Sequence, residues 1–253
     1  MTHDATLPLL LKQLGLPTMR LTFEEIASEA QSAHWTYPQY LACLAGREAA
    51  VRQHRRIARQ LKEACLPPGK SLDTLDFSVM KSVNAAKITA LAEDTGWVKQ
   101  AGNILIFGAS GVGKTHLAAA IGHRLVEQGL RVLFTSAASL VQKLQLARRE
   151  YRLPDYLNRL AKKDVLILDD IGYVKKDEAE TSVLFELIAH RYENRSLIIT
   201  SNQAFGDWDQ IFPDNIMAVA AIDRLVHHAD IIHITMEKSY RRTQCEKRTP
   251  LLT

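Results

Sequence analysis

Apolar positions along this chain follow two regimes. Up to about residue 66 they recur at helical spacing, and from about residue 103 short unbroken apolar runs alternate with helix-compatible stretches. In the second regime, residues 104–107, 131–136, 164–169, 196–201 and 230–234 read as strands. Helices are predicted directly after the first strand and over 137–149, 156–162 and about 178–194. Continuous apolar strands separated by helices predict a parallel sheet buried on both faces. In the first regime, Thr22-Phe-Glu-Glu25 and Thr36-Tyr-Pro-Gln39 each fit a capping box, which predicts two helix starts. The second of these helices should run over about 37–65, with Leu44, Val51, Ala58 and Leu61 as its buried stripe. Leu66-Pro-Pro-Gly-Lys70 breaks it. The expected division is a helical N-terminal domain over 1–66 and an α/β domain over 67–253, with residues 71–100 packing onto the latter as an extended piece and one or two helices.

Between the first strand and its helix lies Gly108-Ala-Ser-Gly-Val-Gly113-Lys114-Thr115, the pattern G-x-x-x-x-G-K-[ST] in the strand–loop–helix context it requires. The glycines let the backbone come close to a phosphate, and the loop amides with the helix N-terminus make a pocket of positive potential. Gly108, Ala109, Ser110, Gly111, Val112, Gly113, Lys114, Thr115 and the following His116 are the candidate nucleotide-binding residues. Lys114 is expected to reach the β- and γ-phosphates, and the Thr115 hydroxyl to ligate Mg²⁺. The strand at 164–169 ends in Asp169-Asp170. Asp169 is expected to face the phosphate loop and hold Mg²⁺, and Asp170 to orient or deprotonate the attacking water. Asn202, at the tip of the strand 196–201, is the candidate to position that water with Asp170. Trp97 either flanks a purine base or packs against the sheet.

Composition narrows the class. Of 253 residues, 47% are hydrophobic, which is ample for a packed core, and no window approaches a membrane span. The N-terminus carries no basic region ahead of its leucines and is not read as a signal peptide. The three cysteines, Cys43, Cys65 and Cys245, include no C-x-x-C pair, which argues for reduced thiols and a cytoplasmic protein. His227 and His228 are adjacent, and His233 falls in a strand; all three are read as structural, with no metal site among them. A net charge of +4 does not by itself identify a nucleic-acid binder, but the distribution is uneven. Arg52, Arg55, Arg56, Arg59 and Lys62 share one face of the long helix, either as a solvated face or as a surface for an anionic partner.

The phosphate loop, LILDDIG at 166–172, IITSN at 198–202 and Asp223-Arg224-Leu225 together resemble an AAA+ ATPase. The chain looks most like the DnaC/IstB group. GKTHLAAAIGHRLVEQGLRVLFTSAASLVQKL, Phe205-Gly-Asp-Trp208, the terminal Ser239-Tyr240-Arg241 and the N-terminal LKQLGLPTM are closer to IstB, the ATP-binding helper of insertion-sequence transposition. The resemblance implies a P-loop NTPase of AAA+ type, with a parallel five-stranded sheet flanked by helices; the C-terminal lid domain usual in that group is not expected, because the chain ends soon after Arg241. It also implies ATP and Mg²⁺ as cofactors, slow ATP hydrolysis stimulated by DNA or a partner, ATP-dependent homo-oligomerisation on double-stranded DNA, and a transposase partner. In that family's terms Asp170 matches the catalytic acid, Asn202 the polar sensor, Arg224 the arginine that reaches a neighbouring subunit's site, and Arg241 (or Arg242) a second sensor. Candidate DNA contacts are Arg52, Arg55, Arg56 and Arg59, then Lys143, Arg148, Arg149 and Arg152 with Arg159, Lys162 and Lys163, and a C-terminal cluster around Lys238, Arg241, Arg242, Lys247 and Arg248. Two other readings compete: a DnaC-like helicase loader that binds single-stranded DNA, and a metabolic P-loop kinase.

Overall fold

The structure is a computed structural model that describes residues 3–80, 82–173, 178–203 and 215–235. The chain forms two compact units, Met1–Arg59 and Gln60–Thr253.

The first unit holds α1 (His3–Gln13), α2 (Pro17–Ser32) and most of α3 (Tyr37–Glu63) around Met19, Ile26 and Leu44, with Phe23, Trp35 and Tyr40 packed against them. The box at Thr36 forms as expected: the Thr36 amide donates to Gln39 Oε1 at 2.8 Å, and the Gln39 amide to Thr36 Oγ1 at 3.4 Å. The box at Thr22 does not. Pro17, with its φ already helical and no amide hydrogen to lose, starts α2 earlier, and Thr22 lies inside the helix with its hydroxyl donating to the Thr18 carbonyl.

The first turn of α2 is capped from another helix instead. Glu48, buried on α3 one turn after Leu44, accepts from the amides of Thr18 (2.7 Å) and Met19 (3.0 Å) through Oε2. Arg52 donates to the Gly15 carbonyl at 2.8 Å and to Glu48 Oε1 at 3.3 Å. Along the expected stripe Leu44 is buried, Val51 half-buried and Ala58 exposed, so Ala58 is not part of it.

In the second unit, α4 (Ala85–Glu93) is capped by Asn84 Oδ1, and α5 (Gly96–Lys99) leads into the sheet. Then follow β1 (Asn103–Gly108), α6 (Lys114–Glu127), β2 (Val132–Ser136), α7 (Ala137–Arg149), α8 (Leu153–Ala161), β3 (Val165–Asp169), α9 (Glu178–Arg191), β4 (Ser196–Ser201), α10 (Asn215–Val226) and β5 (Ala229–Ile234). The sheet order is β2-β3-β4-β1-β5 and every pairing is parallel. One face packs on α7, α8, α9 and α10 through Leu140, Leu144, Leu157, Leu184, Leu187 and Leu225. The other packs on α4 and α6 through Ile88, Leu117, Ile121 and Leu125, and Ala64 joins this layer. Trp97 takes the packing reading: its indole is half-buried against this layer and donates to the Leu91 carbonyl.

Polar side chains close the edge of the sheet where the strands begin. Asn103 donates through Nδ2 to the Leu225 carbonyl and accepts from the Leu197 amide. Arg191, 1% exposed, donates to the carbonyls of Leu160, Lys163, Asp164 and Ser196. Burial pushes its guanidinium down to about 9, with the neighbouring Arg195 adding to the effect, so it remains charged at neutral pH.

Glu48 carries a pH prediction. Burial raises its pKa most strongly, but the amides of Met19 and Thr18 and the charge of Arg52 together hold it below the usual value. A carboxylate depressed in the folded state stabilises it above the unfolded pKa, about 4.3, and that contribution is lost as pH falls through the lower folded value. Stability of the N-terminal helices against urea should therefore fall below about pH 4.3, and Glu48→Gln should cost about 1 kcal/mol at neutral pH and flatten that dependence. Parallel pH profiles for the two proteins would contradict this role for Glu48.

Candidate functional site

β1 delivers the phosphate loop at the carboxyl end of the sheet. Two of its glycines are dictated by space as well as by backbone conformation. Gly108 has φ +155°, and a Cβ there would lie 2.5 Å from the Ile234 carbonyl at the end of β5. Gly113 has φ +99°, and a Cβ there would lie 2.3 Å from Cε of Met80. Met80, itself buried, thus packs on the last turn of the loop, a neighbour that nothing in its sequence context signalled.

Lys114 starts α6, and its ammonium donates to the carbonyls of Gly108 (2.8 Å) and Ala109 (2.9 Å). Binding a phosphate here would draw Lys114 away from these two carbonyls. His116 faces elsewhere: its Nε2 lies 3.0 Å from Thr74 Oγ1 and 3.3 Å from the Ser71 carbonyl, so the ring ties α6 to the turn at Leu72–Thr74. Burial, partly offset by the Ser71 carbonyl, holds this imidazole below the ordinary histidine range.

The acid pair meets the loop through two threonines. Thr115 Oγ1 donates to Asp169 Oδ2 at 3.1 Å, and Thr200 Oγ1 donates to Asp169 Oδ1 at 2.7 Å. The Asp170 amide in turn donates to Thr200 Oγ1 at 2.9 Å. The backbone turns sharply after β3, with Asp170 at φ +58°, a left-handed conformation that aspartate tolerates better than most residues. Asn202 lies just past β4, and its Oδ1 would be 2.3 Å from a Cβ at position 172. Gly172 therefore leaves room for the Asn202 carboxamide beside the turn at Ile171–Tyr173 that follows the acid pair. The structure thus brings Lys114, Thr115, Asp169, Asp170 and Asn202 to one end of the sheet.

Thr200 is the residue that sequence reading passed over in favour of Asn202. Both occur at the tip of an apolar strand. Only the pairing of β4 between β3 and β1 reveals that the Thr200 hydroxyl is fully buried against the acid motif. For Mg²⁺ the donor set is suitable: a hydroxyl and a carboxylate, hard oxygen donors, converge beside the lysine.

Arg224 lies elsewhere, on α10. Its Nη1 donates to the Ala220 carbonyl, and the guanidinium sits over the rings of Phe185 (5.3 Å) and Tyr192 (5.9 Å). Among the basic candidates, Arg52 is engaged with Gly15 and Glu48, and Arg148 donates to Ser182 at 3.2 Å and pairs with Glu186. Arg55, Arg56 and Arg59 line a groove of the first unit together with Arg52, Glu48, Gly15 and Pro17. Lys143, Arg152 and Arg159 line a groove between α7 and α8, and Arg149 is exposed on α7. Arg241, Arg242, the other C-terminal cations, Phe205 and Trp208 lie outside the described residues.

Comparison with known proteins decides the family. Residues 9–248 match the family described as IstB-like ATP binding protein. The chain belongs to this family. It is 50% identical over 243 residues to an insertion sequence ATP-binding protein of Sinorhizobium fredii, covering 96% of this chain and 82% of that one. It is 36% identical to an insertion sequence ATP-binding protein of Pseudomonas aeruginosa, covering 95% of this chain and 90% of that one. Among solved structures, the DnaC helicase loader superposes with a TM-score of 0.57 at 21% identity, over 66% of this chain and 98% of the loader. DnaA of Aquifex aeolicus, solved bound to AMPPCP, superposes with a TM-score of 0.56 at 21% identity, over 73% of this chain and 56% of DnaA. These two likenesses establish the expected fold, a parallel five-stranded P-loop NTPase sheet flanked by helices.

The buried Thr200 hydroxyl generates a prediction. Thr200→Val keeps the shape but leaves the Asp170 amide without its acceptor, and should lower unfolding stability by about 1–3 kcal/mol. Thr200→Ser should recover most of the loss. A valine variant as stable as the parent in chemical denaturation would mean that the Thr115–Asp169–Thr200–Asp170 chain does not hold these strand tips together.

Proposed function

We propose that this IstB-family chain is an ATP-dependent, DNA-binding AAA+ regulator of transposition. In this reading it binds ATP and Mg²⁺, oligomerises on duplex DNA, hydrolyses ATP and acts with a transposase. The observation that carries it is the joining of the phosphate-loop Thr115 to the acid pair through Asp169 and Thr200. This occurs in a chain half identical, over nearly its whole length, to an insertion sequence ATP-binding protein.

Each residue then has a chemical task. Gly108, Ala109, Ser110, Gly111, Val112 and Gly113 present amides to the phosphates, and Lys114 moves from its loop carbonyls to the β- and γ-phosphate oxygens. Thr115 and Asp169 would hold Mg²⁺, which when bound offsets the negative charge of the phosphates. Asp170 accepts a proton from, or orients, the attacking water, with Asn202 beside it. Arg224 serves a neighbouring subunit, where a guanidinium stabilises charge developing in the transition state. Its seat over two aromatic rings holds it on α10 rather than at its own phosphate loop. The His116 side chain supports α6, so nucleotide contact by this residue would come from its amide in the first turn of that helix.

DNA contact rests on Arg55, Arg56 and Arg59 in one unit and on Lys143, Arg149 and Arg152 in the other, with Arg52 and Arg148 also paired to Glu48 and Glu186. Contacts of this kind go to phosphates, so affinity should be salt-sensitive and largely independent of sequence.

The test is duplex-DNA binding by fluorescence anisotropy, with oligomer size measured in parallel, in ATP, in ADP and without nucleotide. Assembly on duplex DNA only with ATP, lost in Lys114→Ala and in Arg224→Ala, is expected. Arg224→Ala should retain nucleotide binding while losing assembly and at least about 10³-fold of any ATPase rate. Duplex binding indifferent to nucleotide, or a preference for single strands with capture of a replicative helicase, would replace this reading with that of a helicase loader.

A further inference from the structure

Sequence reading set aside His227 and His228 because adjacent residues on a helix point to different faces. The structure removes that objection. α10 ends at Val226, and the two histidines occupy the turn into β5, where their ring centroids come within 4.0 Å. Glu193, just beyond the end of α9, joins them. One ligand atom from each of Glu193, His227 and His228 lies within 4.8 Å of the others, and all three side chains are exposed.

We propose that Glu193, His227 and His228 form a surface site for a borderline divalent transition metal such as Zn²⁺ or Cu²⁺, separate from the Mg²⁺ position at Thr115 and Asp169. Two imidazoles and a carboxylate are the donors that such ions prefer, whereas Mg²⁺ prefers oxygen alone. Tetrahedral ligation at about 2.0–2.1 Å sets ligand atoms roughly 3.4 Å apart, a contraction that exposed side chains accommodate by small rotamer adjustments.

The surroundings favour binding in two ways. The Tyr192 hydroxyl lies 3.0 Å from His227 Nδ1. With Nδ1 donating to that hydroxyl, Nε2 is left bare for the metal, the arrangement by which outer partners fix an imidazole tautomer. The turn is also anchored: the His228 carbonyl accepts from the Asn103 amide at 2.8 Å, and the His227 amide donates to the Asp223 carbonyl. Two ligands therefore sit on backbone tied to β1 and α10 before any metal arrives.

Binding would clamp the end of α9 to the turn that follows α10. Arg224 lies three residues before His227 on that helix, over the ring of the same Tyr192 that contacts His227. The clamp would thus act beside the residue assigned above to subunit contact. The site itself does not depend on that assignment.

The experiment titrates the full chain with zinc chloride in excess Mg²⁺, using a competing chromophoric chelator. The parent should bind one equivalent. The double variant His227→Ala/His228→Ala should bind at least about 100-fold more weakly, and Glu193→Gln about 10-fold more weakly. Cu²⁺ bound in a second sample should give an electron paramagnetic resonance spectrum with nitrogen coupling from two imidazoles, absent in the double variant. No saturable binding by the parent, or equal affinity in parent and double variant, overturns the site. Thermal denaturation of the metal-free variants identifies any that fail to fold, and Tyr192→Phe, which retains all three ligands, is then used in their place. It should weaken binding without abolishing it, and unchanged affinity overturns the role given to that hydroxyl.

Discussion

A parallel sheet covered on both faces has no room for polar chemistry except at its two ends. In this protein that constraint governs nearly everything else. The central strands are apolar because helices lie on either side, so the buried polar side chains of the sheet, Asn103, Ser196, Thr200 and Ser201, lie at strand termini. Where the strands begin, Asn103 and Arg191 spend their hydrogen bonds on backbone carbonyls and amides, and they stitch β1, β3 and β4 to α8 and α10. Where the strands end, Lys114, Thr115, Asp169, Asp170 and Thr200 gather. One end is closed by bonds to the main chain, and the other keeps side chains that bond to one another and that a ligand can re-partner.

What was legible in the sequence follows the same division. The phosphate loop, the strand positions and the terminal acid pair are local patterns whose physical meaning survives without tertiary knowledge. Thr200 was not legible, because its value comes from lying between β3 and β1, and strand order is not written in any one strand. Nothing in the sequence around Gly172 signals that Asn202 occupies the space a Cβ would take there. The Thr22 box failed against a stronger local signal, Pro17, five residues earlier. The adjacency of His227 and His228 counts against a shared face only on a helix, and α10 ends at Val226, ahead of both.

Charge was the least readable property. Five cations share one helix face, yet Arg52, though exposed, is paired with Glu48 on the preceding turn. Arg148 is similarly taken by Ser182 and Glu186 on a neighbouring helix. A count of basic residues therefore overstates the surface they offer to an anion. The grooves that hold Arg55, Arg56 and Arg59, and Lys143, Arg152 and Arg159, carry acids as well, Glu48 in the first and Glu150 and Asp155 in the second.

The Thr200 hydroxyl has a single proton, which it gives to Asp169, while its lone pair receives the Asp170 amide. The chain of bonds consequently has a direction, and its members polarise one another. Anything that drains negative charge from Asp169 weakens the pull on that proton and makes the oxygen a poorer acceptor one bond further on. The main chain at Asp170, already held in a left-handed turn, is thus loaded or relaxed according to what its neighbour is bonded to. Asp170 carries, in its own backbone, a report of the charge state of the residue beside it.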